Sequence, residues 1–278
     1  MNTRILQRAG AAVGARLILW LYVCAALFPI LWMVLSSFKP PDVVQAIPPI
    51  WSFTPTLQNY NDALNGTASM GTLITHSLAV AVLTTLLTLA TGLPAAYALT
   101  RVRFRGRRFV GNWILSTIMF PPVVSAIPVF IIVGRLGLMD TYPALVIPYT
   151  AFNLPIIIWM LRSFVQQIPQ EIEEAALIDG SSHVTIVRRI ILPLVAPGLA
   201  AAGILCFLFS WNEFLFALTL TRSTVKTAPV GISQFTGMYG TQWGDLTAAS
   251  TVIAAPVLVM TLILRRRIVQ GLTFGAVK

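Results

Sequence analysis

The chain has 278 residues, 56% of them hydrophobic and only 10% charged, with a formal net charge of +10. Soluble domains carry about 25% charged residues, so this composition, with a mean hydropathy of +0.81, excludes a water-soluble globule and points to an integral membrane protein. A nucleic-acid partner is excluded too, because such proteins gather Lys and Arg on a soluble face, whereas here they cluster at the ends of apolar runs.

A bilayer core takes about 20 apolar residues as a helix, and six segments qualify: roughly 17–38, 73–99, 109–133, 142–161, 194–220 and 246–264. The expected fold is all-α, one transmembrane domain over residues 1–278 with six transmembrane helices. Arg4, Arg8 and Arg16 precede the first run as in a signal peptide, but that run is too long and lacks a small-residue cleavage site, so it is read as retained. Cys24 and Cys206 lie in separate runs and are expected to be thiols that pack as small hydrophobes. The segment from about 39 to 72 is polar, with Pro40-Pro41, Pro48-Pro49 and Asn65-Gly66 as turn signals.

Orientation follows from the basic residues. With the N-terminus inside, inner segments hold fifteen Lys and Arg and outer segments four, Lys39, Arg135, Arg222 and Lys226. Both termini are therefore expected on the cytoplasmic side, along with the segment between the fourth and fifth runs. Prolines recur within the runs, among them Pro94, Pro121, Pro122, Pro128, Pro148, Pro155, Pro197 and Pro256. Each frees a carbonyl that must find a partner or line a wet cavity. That fits kinked helices around a transport path, and equally the ordinary proline content of membrane helices.

Enzymatic chemistry finds no foothold. Lys39, Lys226 and Lys278 follow Phe or Val, so no P-loop lysine is present. His76 and His183 form no His-x-x-x-His pair, which leaves no metal-ligand pattern. The chain is expected to bind no cofactor itself.

The polar segment at about 164–193 reads differently. Ile168-Pro169 suits a helix start, and Glu171, Glu173 and Glu174 favour its N-terminal end. Ala175 and Ala176 continue it, and after Asp179, Gly180 suits a left-handed C-terminal cap. Ser181 or Ser182 can cap a second helix ending at Arg188-Arg189, and Pro193 then leads into the fifth run. Two short helices with a tight turn result. They read either as a docking element for a cytoplasmic partner or as an interfacial helix on the headgroups.

The spacing Glu-Ala-Ala-x3-Gly-x9-Ile-x-Leu-Pro resembles the cytoplasmic loop signature of ABC importer permeases. It is matched at Glu174, Ala175, Ala176, Gly180, Ile190, Leu192 and Pro193. Trp211-Asn212-Glu213-Phe214, Tyr97-Ala-Leu-Thr-Arg101, Leu57-Gln-Asn59-Tyr60 and the tail from Arg267 to Lys278 are similar to the carbohydrate-uptake branch, the maltose-type second permease. The resemblance implies a subunit of the bacterial inner membrane without catalysis of its own. It would pair with a second permease, two ATPase subunits that bind ATP and Mg, and an extracytoplasmic sugar-binding protein. Glu174, Ala175, Ala176, Asp179, Gly180, Ile190, Leu192 and Pro193 would form the ATPase-coupling element. The tail, with Gly271 and Gly275 as flexible points, would either reach the ATPases or end as a free basic segment.

Polar groups at membrane depth are costly and mark candidate sites. Asn212 and Glu213 stand in the fifth run, and Tyr149, Phe152 and Asn153 in the fourth. Aromatic faces with amide partners suit the apolar faces and polar edges of sugar rings. These residues are candidates for the substrate pathway, with helix packing as the rival for each and a structural hydrogen-bonding role for Glu213. The competing function is an ion-coupled secondary transporter, which needs carboxylates at membrane depth, and Glu213 is thin support for it.

Overall fold

The structure, a computed structural model, describes residues 2–66, 69–237 and 240–273, with side chains described at 14–66, 69–237 and 240–262. In chain order it holds α1 (Asn2–Ser37), α2 (Gln58–Asn65), α3 (Met70–Arg101), α4 (Arg107–Thr117), α5 (Pro122–Arg135), α6 (Tyr142–Gln166) and α7 (Gln170–Ile178). Then come α8 (His183–Ile186), a π-helical turn Val187–Ile191, α9 (Leu192–Leu194), α10 (Ala196–Trp211), α11 (Leu215–Leu220) and α12 (Ala228–Gly231). Two strands, β1 (Thr236–Gly237) and β2 (Gly240–Thr241), pair antiparallel before α13 (Trp243–Thr273). The hairpin is a small departure from the all-α expectation.

Among the described residues, four helices are long and apolar enough to cross a membrane: Gly14–Ser37, Met70–Arg101, Tyr142–Gln166 and Trp243–Leu262. The total reaches six only if two bent pairs each count as one span. The third expected run, 109–133, is not one helix: α4 and α5 meet at 97°. Pro121-Pro122 sits at this break, where Pro121 is extended and the residue before each proline is steered away from helix. The fifth run, 194–220, is broken at both ends. α10 meets the segment before it at 83°, with Pro193 and Pro197 flanking Val195, and a second interruption at Asn212–Phe214 separates α10 from α11.

The chain divides into two compact units. The first comprises residues 1–70 and 232–254. Its links are local and polar. Asn59 Nδ2 donates to the carbonyls of Ser37 (2.9 Å) and Lys39 (2.8 Å), and Ser37 Oγ and Tyr60 OH share a hydrogen bond of 2.7 Å. The Asn59 amide thus serves the Ser37 carbonyl, which the end of α1 leaves without a helical donor, and the Lys39 carbonyl just beyond it. Lys39 is buried, its ammonium 4.5 Å from the Trp32 ring centroid, so the indole face takes the place of water. Cys24 lies exposed on the apolar surface of α1 instead of being packed away.

The second unit comprises residues 71–231 and 255–278, and both main apolar clusters belong to it. One joins Leu93, Ala96 and Tyr97 of α3 to Ile157, Leu161 and Val165 of α6, and takes in Ile186, Ile191, Ala202 and Cys206. The other gathers Leu145 and Tyr149 of α6 with Phe216 and Leu220 of α11 and Val133 of α5. Small residues let α10 lie close to its neighbours. At Gly198 an added Cβ would fall 2.4–2.7 Å from three ring carbons of Phe164. Gly198→Ala is expected to destabilise the chain by about 1–3 kcal/mol, as overpacking does, with partial recovery when Phe164 is truncated as well. Thermal unfolding in detergent measures both.

Candidate functional site: the polar segment and its anchor

The two arms of the polar segment form as their residues dictate. α7 opens after Pro169 with Glu171 and Glu173 in its first turn. It closes on Gly180, whose φ of +79° only glycine adopts without strain. Gly180 N donates to Leu177 O (3.0 Å) and Ser181 N to Ala176 O (2.9 Å), the paired bonds of a Schellman turn. Ser182 caps the second arm, its Oγ accepting from Thr185 N at 3.3 Å. That arm does not end at Arg188-Arg189 as the sequence suggests. It runs on through the π turn, because Pro193 has no N–H to close an ordinary α turn onto Arg189.

One face of this segment is buried in the molecule. Ile186 and Ile191 sit in the apolar cluster of α3 and α6, with Ile190 half-buried beside them. The opposite face is open. Glu174, Ala175, Asp179 and Gly180 are exposed, Ala176 is half-buried, Ile178 is 88% exposed and Val184 67% exposed. Leu192 and Pro193 are exposed at the bend that leads into α10.

The last turn of α3 anchors both arms. Arg101 Nε donates to Glu173 Oε1 at 2.7 Å, with side-chain exposures of only 9% and 6%. Arg101 Nη2 also donates to Val165 O (3.0 Å) and to Ile168 O. Tyr97, one helical turn earlier on the same face, shares a hydrogen bond of 3.2 Å between its OH and His183 Nδ1. Thus Arg101 holds α7 and Tyr97 holds the start of α8. Sequence reasoning counted Arg101 as an inner-side charge and as the end of a motif similar to the carbohydrate-uptake branch, and Glu173 only as a helix-favouring acid. The signal was the Tyr97-x-x-x-Arg101 spacing, but nothing local names partners 72 and 86 residues away.

The pathway candidates separate into two groups. Tyr149 and Asn153 are buried: Tyr149 packs in the α6–α11 cluster, and Asn153 Nδ2 donates to Tyr149 O (2.8 Å) and Ser210 Oγ (3.2 Å). Phe152 is half-buried, its ring 5.2 Å from that of Phe216. It lines a cavity of about 340 Å³ with Ser116, Thr117 and Phe120, residues that sequence reasoning missed and that sit where α4 breaks from α5. Asn212 is exposed and its amide turns back to Leu208 O at 2.8 Å. Glu213 is half-buried at the break between α10 and α11. Its two carboxylate oxygens accept from Phe216 N (2.9 Å) and Ala217 N (3.2 Å), which satisfies the opening of α11.

Away from this side, Asp140 fastens the loop between α5 and α6 to the chain after α11. Its carboxylate accepts backbone N–H bonds of 2.9–3.2 Å from Arg222, Ser223, Thr224 and Val225. Burial alone would raise its pKa, but these four donors outweigh that and hold the carboxyl well below the usual carboxylate range. Asp140→Asn is expected to lower the unfolding midpoint at neutral pH. A depressed pKa stabilises above the ordinary value near 4 and loses that contribution as pH falls towards the folded value. The gap between wild type and variant should therefore be steady from about pH 5 upwards and narrow below about pH 4.

Residues 88–273 match the family described as binding-protein-dependent transport system inner membrane component. The trehalose/maltose transport system permease protein MalG of Thermococcus litoralis is 38% identical over 100% of this chain and 99% of its own. The trehalose transport system permease protein SugB of Mycobacterium tuberculosis is 41% identical over 93% and 94%. Among solved structures, a chain of a bacterial ABC transporter involved in import of the acidic polysaccharide alginate aligns with a TM-score of 0.79 at 24% identity, covering 93% of this chain and 96% of that one. That last likeness concerns the fold. The C-terminal tail from 274 onward, quoted above for its resemblance, lies outside the described residues.

Proposed function

We propose, from the premise that this chain belongs to the family of binding-protein-dependent transport system inner membrane components, how it works as the permease subunit of an ABC sugar importer. It is a multi-pass protein of the inner membrane and a transport subunit. In this reading it has six spans, each bent pair forming one, and both termini lie in the cytoplasm. It builds the sugar path with a second permease, receives sugar from an extracytoplasmic binding protein, and is driven by two ATPases that hold ATP and Mg.

The observation that carries the reading is the two-faced segment at 170–194. Its inner face is fixed to α3 by the Arg101–Glu173 and Tyr97–His183 contacts and to the core by Ile186 and Ile191. Its outer face offers Ala175, Ile178 and Val184, apolar groups around a turn, as a knob for a groove in the ATPase. A segment gripped on one side and seated on the other transmits displacement to the broken spans. Phe152 beside the α4–α5 break and Asn212 beside the α10–α11 break are placed to meet sugar as those helices shift. Tyr149, Asn153 and Glu213 hold the supporting frame.

The test is uptake into proteoliposomes by the assembled complex. Sugar uptake is expected to require ATP inside the cytoplasmic-equivalent compartment and to persist when ionophores collapse ion gradients. Uptake that failed with the gradient and ignored ATP would replace this reading with ion coupling.

A further inference from the structure

Five of the chain's arginines do something that orientation alone does not require. Arg103, Arg105, Arg107, Arg108 and Arg162 line one cavity of about 990 Å³, together with Trp159. None of the five has a carboxylate partner among the described residues, where the ion pair is Arg101–Glu173. The local chain is shaped to gather them. α3 ends at Arg101, Gly106 turns the backbone at a φ of +89°, and α4 starts at Arg107 with no acidic residue in its first turn. The positive end of α4 therefore adds to the guanidinium charges instead of being offset.

Two further donors are unused. Arg162 Nε and Trp159 Nε1 are both buried and have no hydrogen-bond partner. Arg162 stacks on the indole with its Cζ 4.6 Å from the ring centroid, which holds the guanidinium plane in place. Buried donors without acceptors are unfavourable unless something fills them. Clustered guanidiniums, with their forked donors, match the oxygens of a phosphate.

We propose that this cavity is a built site for the phosphate of an anionic phospholipid headgroup in the cytoplasmic leaflet. The surroundings favour a lipid over a protein carboxylate. Phe109 and Trp113 are 74% and 61% exposed, so the helix that carries Arg107 and Arg108 also offers apolar, aromatic surface, as suits acyl chains and the interfacial zone. Basic pockets between membrane helices on the cytoplasmic side bind such headgroups. The inference is separate from the sugar reading and needs only that α4 reaches the inner interface.

The experiment uses the assembled complex, delipidated in detergent and then given phosphatidylglycerol, phosphatidylcholine or inorganic phosphate, with bound lipid counted by native mass spectrometry. Phosphatidylglycerol is expected to be retained over phosphatidylcholine, with affinity falling about fivefold for each guanidinium removed. The variants are R103Q/R105Q, two exposed arginines whose loss leaves the core intact, and R162Q, which removes the buried donor. If R162Q fails to assemble, the exposed pair and the wild-type lipid preference still decide. Equal binding of the two lipids, or retention unchanged in R103Q/R105Q, overturns the proposal. So does inorganic phosphate displacing the lipid at equal concentration, which would make the ligand a free anion. Lipid bound only when the ATPases are stripped away would assign the arginines to a protein contact and overturn it as well. ATP-driven uptake by the same variants, measured in parallel, separates failure here from failure of the transport reading.

Discussion

Glu173→Ala is expected to be the most damaging single substitution in the chain that touches no substrate. The carboxylate and the Arg101 guanidinium are both nearly sealed from solvent at 2.7 Å. Removing one member of a buried pair leaves the other charged and desolvated, a change of about 3–5 kcal/mol. Arg101 would keep the Val165 and Ile168 carbonyls, but neither carries the compensating charge. Thermal unfolding should report the loss directly. Glu173→Gln, which keeps an acceptor, should fall between wild type and Ala. The double variant R101M/E173M should regain much of the stability, because an apolar pair in place of a buried ion pair is often neutral. Transport should not recover with it. α7 would then be held by packing alone, and the fixed angle to α3 that passes on the ATPase stroke in the proposed reading would be gone. A double variant that is both stable and fully coupled would remove Arg101–Glu173 from the mechanism.

Gly180→Val should uncouple the complex without unfolding it. The space around Gly180 is open, with nothing within 4 Å of an added Cβ, so no collision occurs. The strain comes only from φ at +79°, where a β-branched residue is a genuine outlier. A penalty of about 1–2 kcal/mol for the left-handed conformation is a factor of about 5–30 in the population of the native turn. That shift re-aims α7 against α8 and moves Ala175, Ile178 and Val184 out of register with a partner groove. Sugar-stimulated ATPase activity and uptake should fall about tenfold or more, with basal ATPase activity retained. Gly180→Asn, whose side chain tolerates the left-handed region, should be mild. Gly137 offers a matched control: it has φ +67° and open space, but lies in the loop between α5 and α6. Gly137→Val should lower stability and leave coupling intact. Equal uncoupling by both would mean that strain anywhere slows the cycle, and the turn would lose its special role.

The broken spans also bear on mechanism. In the proposed reading, the breaks at Pro121-Pro122, at Val195 and at Asn212–Phe214 would let the pieces of those helices shift separately beside the sugar path. Glu213 shows how such a break is tolerated in lipid. The opening of α11 leaves N–H groups without helical partners, and one carboxylate accepts two of them.

The amino-acid sequence by itself determined the membrane class, the polar two-armed segment and the glycine turn within it. Each of these rests on residues within a few positions of one another: a run of apolar side chains, a proline before acids, a glycine after a short helix. Only the tertiary structure decided that Arg101 meets Glu173, that Tyr97 meets His183, that Tyr149 and Asn153 are sealed inside while Phe152 faces a cavity, and that two of the six runs are bent. The physical reason is one of range. Backbone conformation responds to neighbours within about a turn, so caps and breaks leave a local trace, and Pro121-Pro122 left one. Partners 72 residues apart are chosen by which helix faces pack together, and that choice is made by the summed shape and burial of the whole bundle.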